Sequence, residues 1–354
     1  MRRFLICLLC MVMLGAQLVG CGGTPDATEP EITEPEVTTP EITEPEVTTP
    51  EETTPEETEP EETIPETTEP ETTEPETTEP ETTEPETEAP APVVAPDAGT
   101  FTKMQSVLLL GQSNMVGNGW AKYVEPITDD RIYMMRGDEW VTMKEPLHEQ
   151  TTKATVGLGA SFAKAFVETF DCELGLIPVA VGGSSVLQWK KDYTGDNEHL
   201  YAKAIEMAKK AQETTEICAI LWHQGETNRN RKAYAQDIKE IFDAFIEELG
   251  LDRDEIVIIT GELGAWEGKE VELVNSALAA VDAEGYFPCY AVVSQEGLTN
   301  VEKERSGSDS HFDSPSLRVF GYRYFEEFYE ELMHRECAYE YSQDPDDYRI
   351  DPTA

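Results

Sequence analysis

From about Ala98 onward, short apolar runs alternate with stretches in which apolar residues recur every three or four positions. The runs are Ser106–Leu110, Leu176–Val181, Ile217–Trp222, Ile256–Thr260 and Ala291–Ser294. Each is apolar on consecutive positions and too short for a helix, which is the pattern of a strand buried on both faces. Between them Gly159–Phe170, His199–Gln212, Lys232–Leu249 and Lys269–Asp282 carry an apolar stripe at helical spacing, and a last helix is expected from Ser314 to about His334. Five strands with helical crossovers predict an α/β fold, a five-stranded parallel sheet in a three-layer α/β/α sandwich. Such sheets place their ligands at the carboxyl ends of the strands. About 240 residues suffice for one domain of this kind, assigned to 98–340 with 341–354 as a C-terminal tail.

The chain before Ala98 follows other rules. Arg2 and Arg3 precede an apolar run from Phe4 to about Leu14, too short to span a bilayer comfortably. The run closes on Leu18-Val19-Gly20-Cys21, which resembles the lipobox of bacterial lipoprotein precursors. That resemblance implies a signal peptide over 1–20, lipidation of Cys21, and anchoring to the outer face of a bacterial membrane. From Thr28 to Thr87 the sequence repeats every five residues with proline in each unit and almost nothing apolar, so no core can form. Residues 21–97 therefore read as a lipidated cysteine and a disordered, extended spacer, which could reach on the order of 200 Å at about 3.1 Å per residue.

Charge and cysteine content narrow the function classes. The net charge is −46, and the segment from Cys21 to Asp97 holds acidic residues with no basic ones. Both parts of the mature chain repel nucleic acid and anionic headgroups, so nucleic-acid binding is excluded and the membrane is met only through the anchor. Cys172, Cys218, Cys289 and Cys337 are widely spaced, without C-x-x-C or interleaved histidine, so neither a disulfide framework nor a zinc site is expected.

The strand ends carry the candidate chemistry. The first closes on Gly111-Gln112-Ser113-Asn114, where a serine leaves a buried strand. The second closes on Gly182-Gly183-Ser184-Ser185, whose glycines allow a substrate atom to approach backbone N–H groups. The third closes on Trp222-His223-Gln224-Gly225-Glu226, an amide and a carboxylate at one rim. Asp309-Ser310-His311 precedes the last helix. A hydroxyl, an imidazole, a carboxylate and N–H donors on one side of a sheet are the parts acyl transfer needs.

Together GQSNM, GGS followed by Trp189, WHQGE, GELG (Gly261–Gly264) and HFDSPSLRVFG resemble the SGNH-type acetylesterases, above all carbohydrate esterase family six and the sialate O-acetylesterases. The resemblance runs from Gln105 to about Glu331 with the motifs in order, and it implies a flavodoxin-like sandwich. It also implies Ser113 as nucleophile and His311 as base. The oxyanion hole would combine the Ser113 N–H, a glycine N–H from Gly182 or Gly183, and the Gln224 side chain. Many such enzymes carry D-x-x-H, but the position three before His311 is Ser308; here the spacing is D-x-H. Both Glu226 and Asp309 are therefore candidates to orient His311, Glu226 first. Asn114 and Trp189 are expected substrate contacts, and Trp120, Trp222 and Trp266 lie near enough to the motifs to stack on sugar rings. The expected activity is removal of O-acetyl groups from carbohydrate, acetylated xylan or a related plant or host glycan, through an acetyl-serine intermediate and without metal or cofactor. The rivals are a non-catalytic carbohydrate-binding surface module and a lipase or thioesterase on the same fold.

Overall fold

The computed structural model describes residues 97–149, 155–301, 304 and 310–353. The expected signal peptide, Cys21, the expected spacer up to residue 96, and Asp309 lie outside the described residues.

In chain order the elements are β1 (Gln105–Gly111), α1 (Ser113–Val116), β2 (Gly119–Trp120), β3 (Ile132–Arg136), β4 (Glu139–Thr142), β5 (Thr155–Val156), α2 (Gly159–Phe170), β6 (Leu174–Pro178), α3 (Leu200–Ala211), β7 (Glu216–His223), α4 (Tyr234–Leu249), β8 (Val257–Gly261), α5 (Lys269–Ala283), β9 (Tyr290–Val293) and α6 (Ser314–Met333). The main sheet runs β4-β3-β6-β1-β7-β8-β9. All pairs in it are parallel except β3 with β4, and β2 pairs separately with β5.

All five expected strands are present, but the sheet has seven. The additional pair, β3 and β4, is an edge hairpin. Its outer strand has no fully buried residue, so it lacks the continuous apolar run that marks the other strands. Its signal is the turn: Gly137-Asp138 between the strands, with Gly137 at φ +56, a conformation that suits a two-residue hairpin.

Strand alternation sends side chains to two cores. Val107, Leu109, Leu174, Leu176, Ala219, Leu221 and Ile259 face the layer of α2 and α6. Leu108, Leu110, Ile177, Ile220, Trp222 and Ile258 face the layer of α3, α4 and α5. The first layer is aromatic: Phe166 of α2 lies 4.9 Å from Phe170 and 5.5 Å from Phe328 of α6, ring centre to ring centre. Beyond Met333 the chain turns back over α6, with the rings of Tyr341 and Tyr348 centred 5.1 and 5.7 Å from Tyr322.

Phe166 has no solvent exposure, so truncation leaves a cavity that close-packed neighbours only partly fill. Phe166→Ala is expected to destabilise the domain by about 3–5 kcal/mol in a denaturant titration followed by circular dichroism.

Candidate active site

Two strands must nearly touch for the serine to reach the sheet's edge. Gly111 ends β1 at φ +129, and a Cβ there would stand 2.1 Å from the carbonyl oxygen of His223 on β7. No other residue fits. The Gln112 N–H donates to that same oxygen at 2.9 Å, and the chain then turns into α1 with Ser113 as its first residue.

His311 arrives from the far side of the chain. The Ser113 Oγ lies 2.7 Å from His311 Nε2, and both residues are partly exposed. With Nε2 unprotonated, the hydroxyl donates to it, which is the geometry of a nucleophile beside its general base. The backbone around His311 is pinned: the Val301 N–H donates to His311 O at 3.0 Å, and Asn300 and Phe312 form an antiparallel bridge.

Asn114 completes the grip. Its Oδ1 accepts the Phe312 N–H at 3.1 Å, while its Nδ2 donates to Ser310 O at 3.1 Å and to Glu226 Oε1. The first bond needs an oxygen and the other two need N–H groups, so these partners fix the orientation of the amide. Asn114 thus holds the residues on either side of His311. It is 1% exposed, so the expected substrate contact is a buried brace instead.

Glu226 acts on this brace. Its carboxyl is buried, bonded to Asn114, and 3.7 Å from His223 Nε2. The Tyr324 hydroxyl lies 2.9 Å from Trp222 O and 3.1 Å from His223 Nδ1. His223 thus holds Tyr324 through Nδ1 and turns Nε2 toward the carboxyl. Burial pushes His223 down to about 3 and pushes Glu226 up, so both charged forms are disfavoured in this pocket. Glu226 reaches His311 through Asn114 and not by a bond of its own.

Gln224 is braced as well. It is fully buried, with Nε2 at 3.0 Å from Gln112 Oε1, 3.1 Å from Ser184 O and 2.6 Å from Asn228 Oδ1. Through these three acceptors Gln224, the expected oxyanion donor, ties the strand ends together. Gly182 and Gly183 form the exposed tip of the neighbouring loop, and a Cβ on Gly182 would lie 4.0 Å from Ser113 Cβ. Trp189, the other expected substrate contact, is fully buried, edge-on to Trp222, with Nε1 donating to Ser184 Oγ at 3.2 Å. Trp222 is likewise core, whereas Trp266 is partly buried and packs at 4.8 Å against Phe312, beside His311.

Sequence reasoning passed over three supporting residues. Gln112 presents Oε1 to Gln224 Nε2 and, at 3.3 Å, to the Thr227 N–H. Asn118 Nδ2 donates to Ser113 O at 2.9 Å, and Asn228 Oδ1 accepts the Val186 N–H at 2.8 Å. Gln112 sits inside the GQSN motif and could have been found there; the two asparagines carry no pattern. Among the described residues no group of His, Cys, Asp or Glu is placed to hold a metal ion.

A largely parallel sheet between helical layers, with a serine and a histidine meeting at its carboxyl edge, is the arrangement of an SGNH-like hydrolase. Residues 103–330 match the family described as carbohydrate esterase, sialic acid-specific acetylesterase, and the chain belongs to that family. It is a carbohydrate acetylesterase, a carboxylic ester hydrolase. A probable carbohydrate esterase of Arabidopsis thaliana is 26% identical over 212 residues, which cover 51% of this chain and 80% of that protein. A solved Arabidopsis thaliana structure superposes with a TM-score of 0.55 at 24% identity, over 66% of this chain and all of that one. The structure of NanS gives 0.50 at 18% identity, over 69% and 100%.

If Glu226 works through Asn114, its charge is dispensable while its oxygen is not. Glu226→Gln keeps an acceptor for Asn114 and is expected to retain at least about a tenth of kcat, against the roughly 10⁴-fold loss seen when a triad carboxylate is neutralised. Asn114→Ala should lower kcat by about 10- to 100-fold with KM little changed, because the histidine is displaced rather than the substrate. Steady-state kinetics on an aryl acetate measures both.

Proposed function

We propose that the protein removes O-acetyl groups from an acetylated glycan, xylan or a related plant or host polysaccharide, through an acetyl-Ser113 intermediate. The observation that carries this is the 2.7 Å approach of Ser113 Oγ to His311 Nε2 in a chain of this family. As Oγ bonds to the acetyl carbon, His311 Nε2 takes the hydroxyl proton. The tetrahedral oxyanion is held by the Ser113 N–H and a glycine N–H from Gly182 or Gly183. The carbonyl then re-forms, the bond to the sugar oxygen breaks, and the imidazolium returns the proton to that oxygen. Water, activated by the same imidazole, attacks the acetyl-serine and releases acetate.

For the carboxylate that orients His311 the reading moves to Asp309. Glu226 is engaged with Asn114 and faces His223, and Asp309 stands two residues before the histidine in the chain. Asp309→Asn is then expected to cost more kcat than Glu226→Gln.

The lipobox-like Leu18–Cys21 supports attachment at Cys21 to the outer face of a bacterial membrane, with the period-five spacer carrying the catalytic domain outward. Cys21→Ala should move the protein from the membrane fraction to the soluble fraction of its host, and an unchanged distribution refutes the anchor.

The catalytic assignment has a direct test. Ser113→Ala should abolish aryl acetate hydrolysis while the domain keeps its circular dichroism spectrum; undiminished turnover refutes it. Acetate release by the wild-type domain from acetylated xylan supports the substrate class, and release from O-acetylated sialic acid alone would replace it.

A further inference from the structure

The family match ends at residue 330, yet the chain continues to a segment that returns to the histidine. Pro345–Tyr348 form a 3-10 turn, Tyr348 packs on Tyr322 of α6, and the Ile350 N–H donates to Tyr123 O at 2.8 Å. Between these two attachments Arg349 Nη2 donates to Asp313 Oδ2 at 2.5 Å. Arg349 also reaches Asp346 at 3.2 Å, so its guanidinium is oriented from its own side of the contact.

Asp313 is two residues from His311 and its side chain has no exposure. Its Oδ1 caps α6 by accepting the Ser316 N–H at 2.9 Å, and its Oδ2 accepts the Thr299 hydroxyl at 2.7 Å. Its own N–H donates to Thr299 O at 3.0 Å. The next residue is held by a second buried acid, since the Ser314 N–H donates to Glu304 Oε1 at 2.5 Å and the Trp120 N–H to Glu304 Oε2 at 3.0 Å. A carboxylate removed from water needs hydrogen bonds and a counter-charge. The hydrogen bonds come from inside the domain. The positive charge at Asp313 comes from Arg349, thirty-six residues along the chain.

We propose that residues 341–350 form a strap that sets the position of His311, with Arg349 as a positioning residue acting through Asp313. The inference rests on His311 being the base for Ser113. Asn114 fixes Ser310 and Phe312 on either side of the histidine, and the strap fixes Asp313 just beyond Phe312, so a shift of Asp313 is passed back to His311 along the chain. Arg349 does not touch the reacting atoms. Its effect falls on the rate of the bound complex and not on substrate affinity.

The test uses the full-length protein and an aryl acetate, with kcat expressed per serine labelled by a fluorophosphonate so that unfolded molecules are not counted. Arg349→Ala should lower this kcat about tenfold with KM within about twofold, and Arg349→Lys should recover most of the loss. Should Arg349→Ala fail to fold, Arg349→Gln replaces it on the same criteria. A kcat per labelled serine within twofold of wild type overturns the proposal. So does a rise in KM at constant kcat, which would make Arg349 a substrate contact, or a lysine variant no better than alanine. Wild-type activity that survives in Ser113→Ala and His311→Ala would instead refute the catalytic pair, and those two variants report it separately.

Discussion

Asn114 stands one residue after the serine and grips the chain on both sides of the histidine, through the Phe312 N–H and the Ser310 carbonyl. Ser113 and His311 are 198 residues apart, and a 2.7 Å contact between them tolerates little error in either segment. The sheet delivers Ser113 accurately, because β1 lies at its centre with neighbours bonded on both sides. It does not deliver His311, which sits on a connection between β9 and α6. A side-chain amide can correct that, since it offers a donor and an acceptor to extended backbone much as a neighbouring strand would. Glu226, and His223 facing it, follow from holding this one residue in place.

Placing an amide in a buried position commits the surroundings. Its second N–H hydrogen needs an acceptor, and Glu226 supplies one. Glu226 must then be buried, which disfavours its charge, and it is faced by His223, whose Nδ1 is hydrogen-bonded to the Tyr324 hydroxyl. Asn114 is fully engaged by its neighbours, whereas His223 Nε2 and Glu226 Oε2 are buried without a hydrogen-bond partner, so the arrangement is costly to disturb on the Asn114 side. Gln224 shows the same economy: one side chain joins the end of β1, the glycine loop and the turn after β7.

The alternation of apolar runs and helical stripes made the parallel sheet legible, since central strands buried on both faces leave a continuous signature. It concealed β3 and β4, where one face or the edge meets solvent and the clearest mark is a two-residue Gly-Asp turn. Ser113 and His311 were legible because their motifs place them at a strand end and before a helix. The depth at which Asn114, Gln224 and Trp189 sit was not. Whether an amide faces a substrate or a backbone carbonyl depends on a few ångströms of depth, and a residue's type carries no record of depth. Trp189 illustrates this, since an indole beside a catalytic loop suits a sugar platform and a core equally well.

The two readings of the HQGE block differ in what the histidine requires. A triad carboxylate must bond the imidazole directly and remain charged, so that it stabilises the imidazolium as it forms. In this arrangement the bond Glu226 makes is to Asn114, and burial pushes its pKa up. A bracing carboxyl needs only an oxygen at the right place, and a dry site suits it because the bond it makes there is stronger than in water. Residues clustered in one motif at one rim can therefore divide into those that meet the substrate and those that hold the rim still. Bracing contacts are many here, as expected when Ser113 and His311 come from distant parts of the chain and only one of them stands on the sheet.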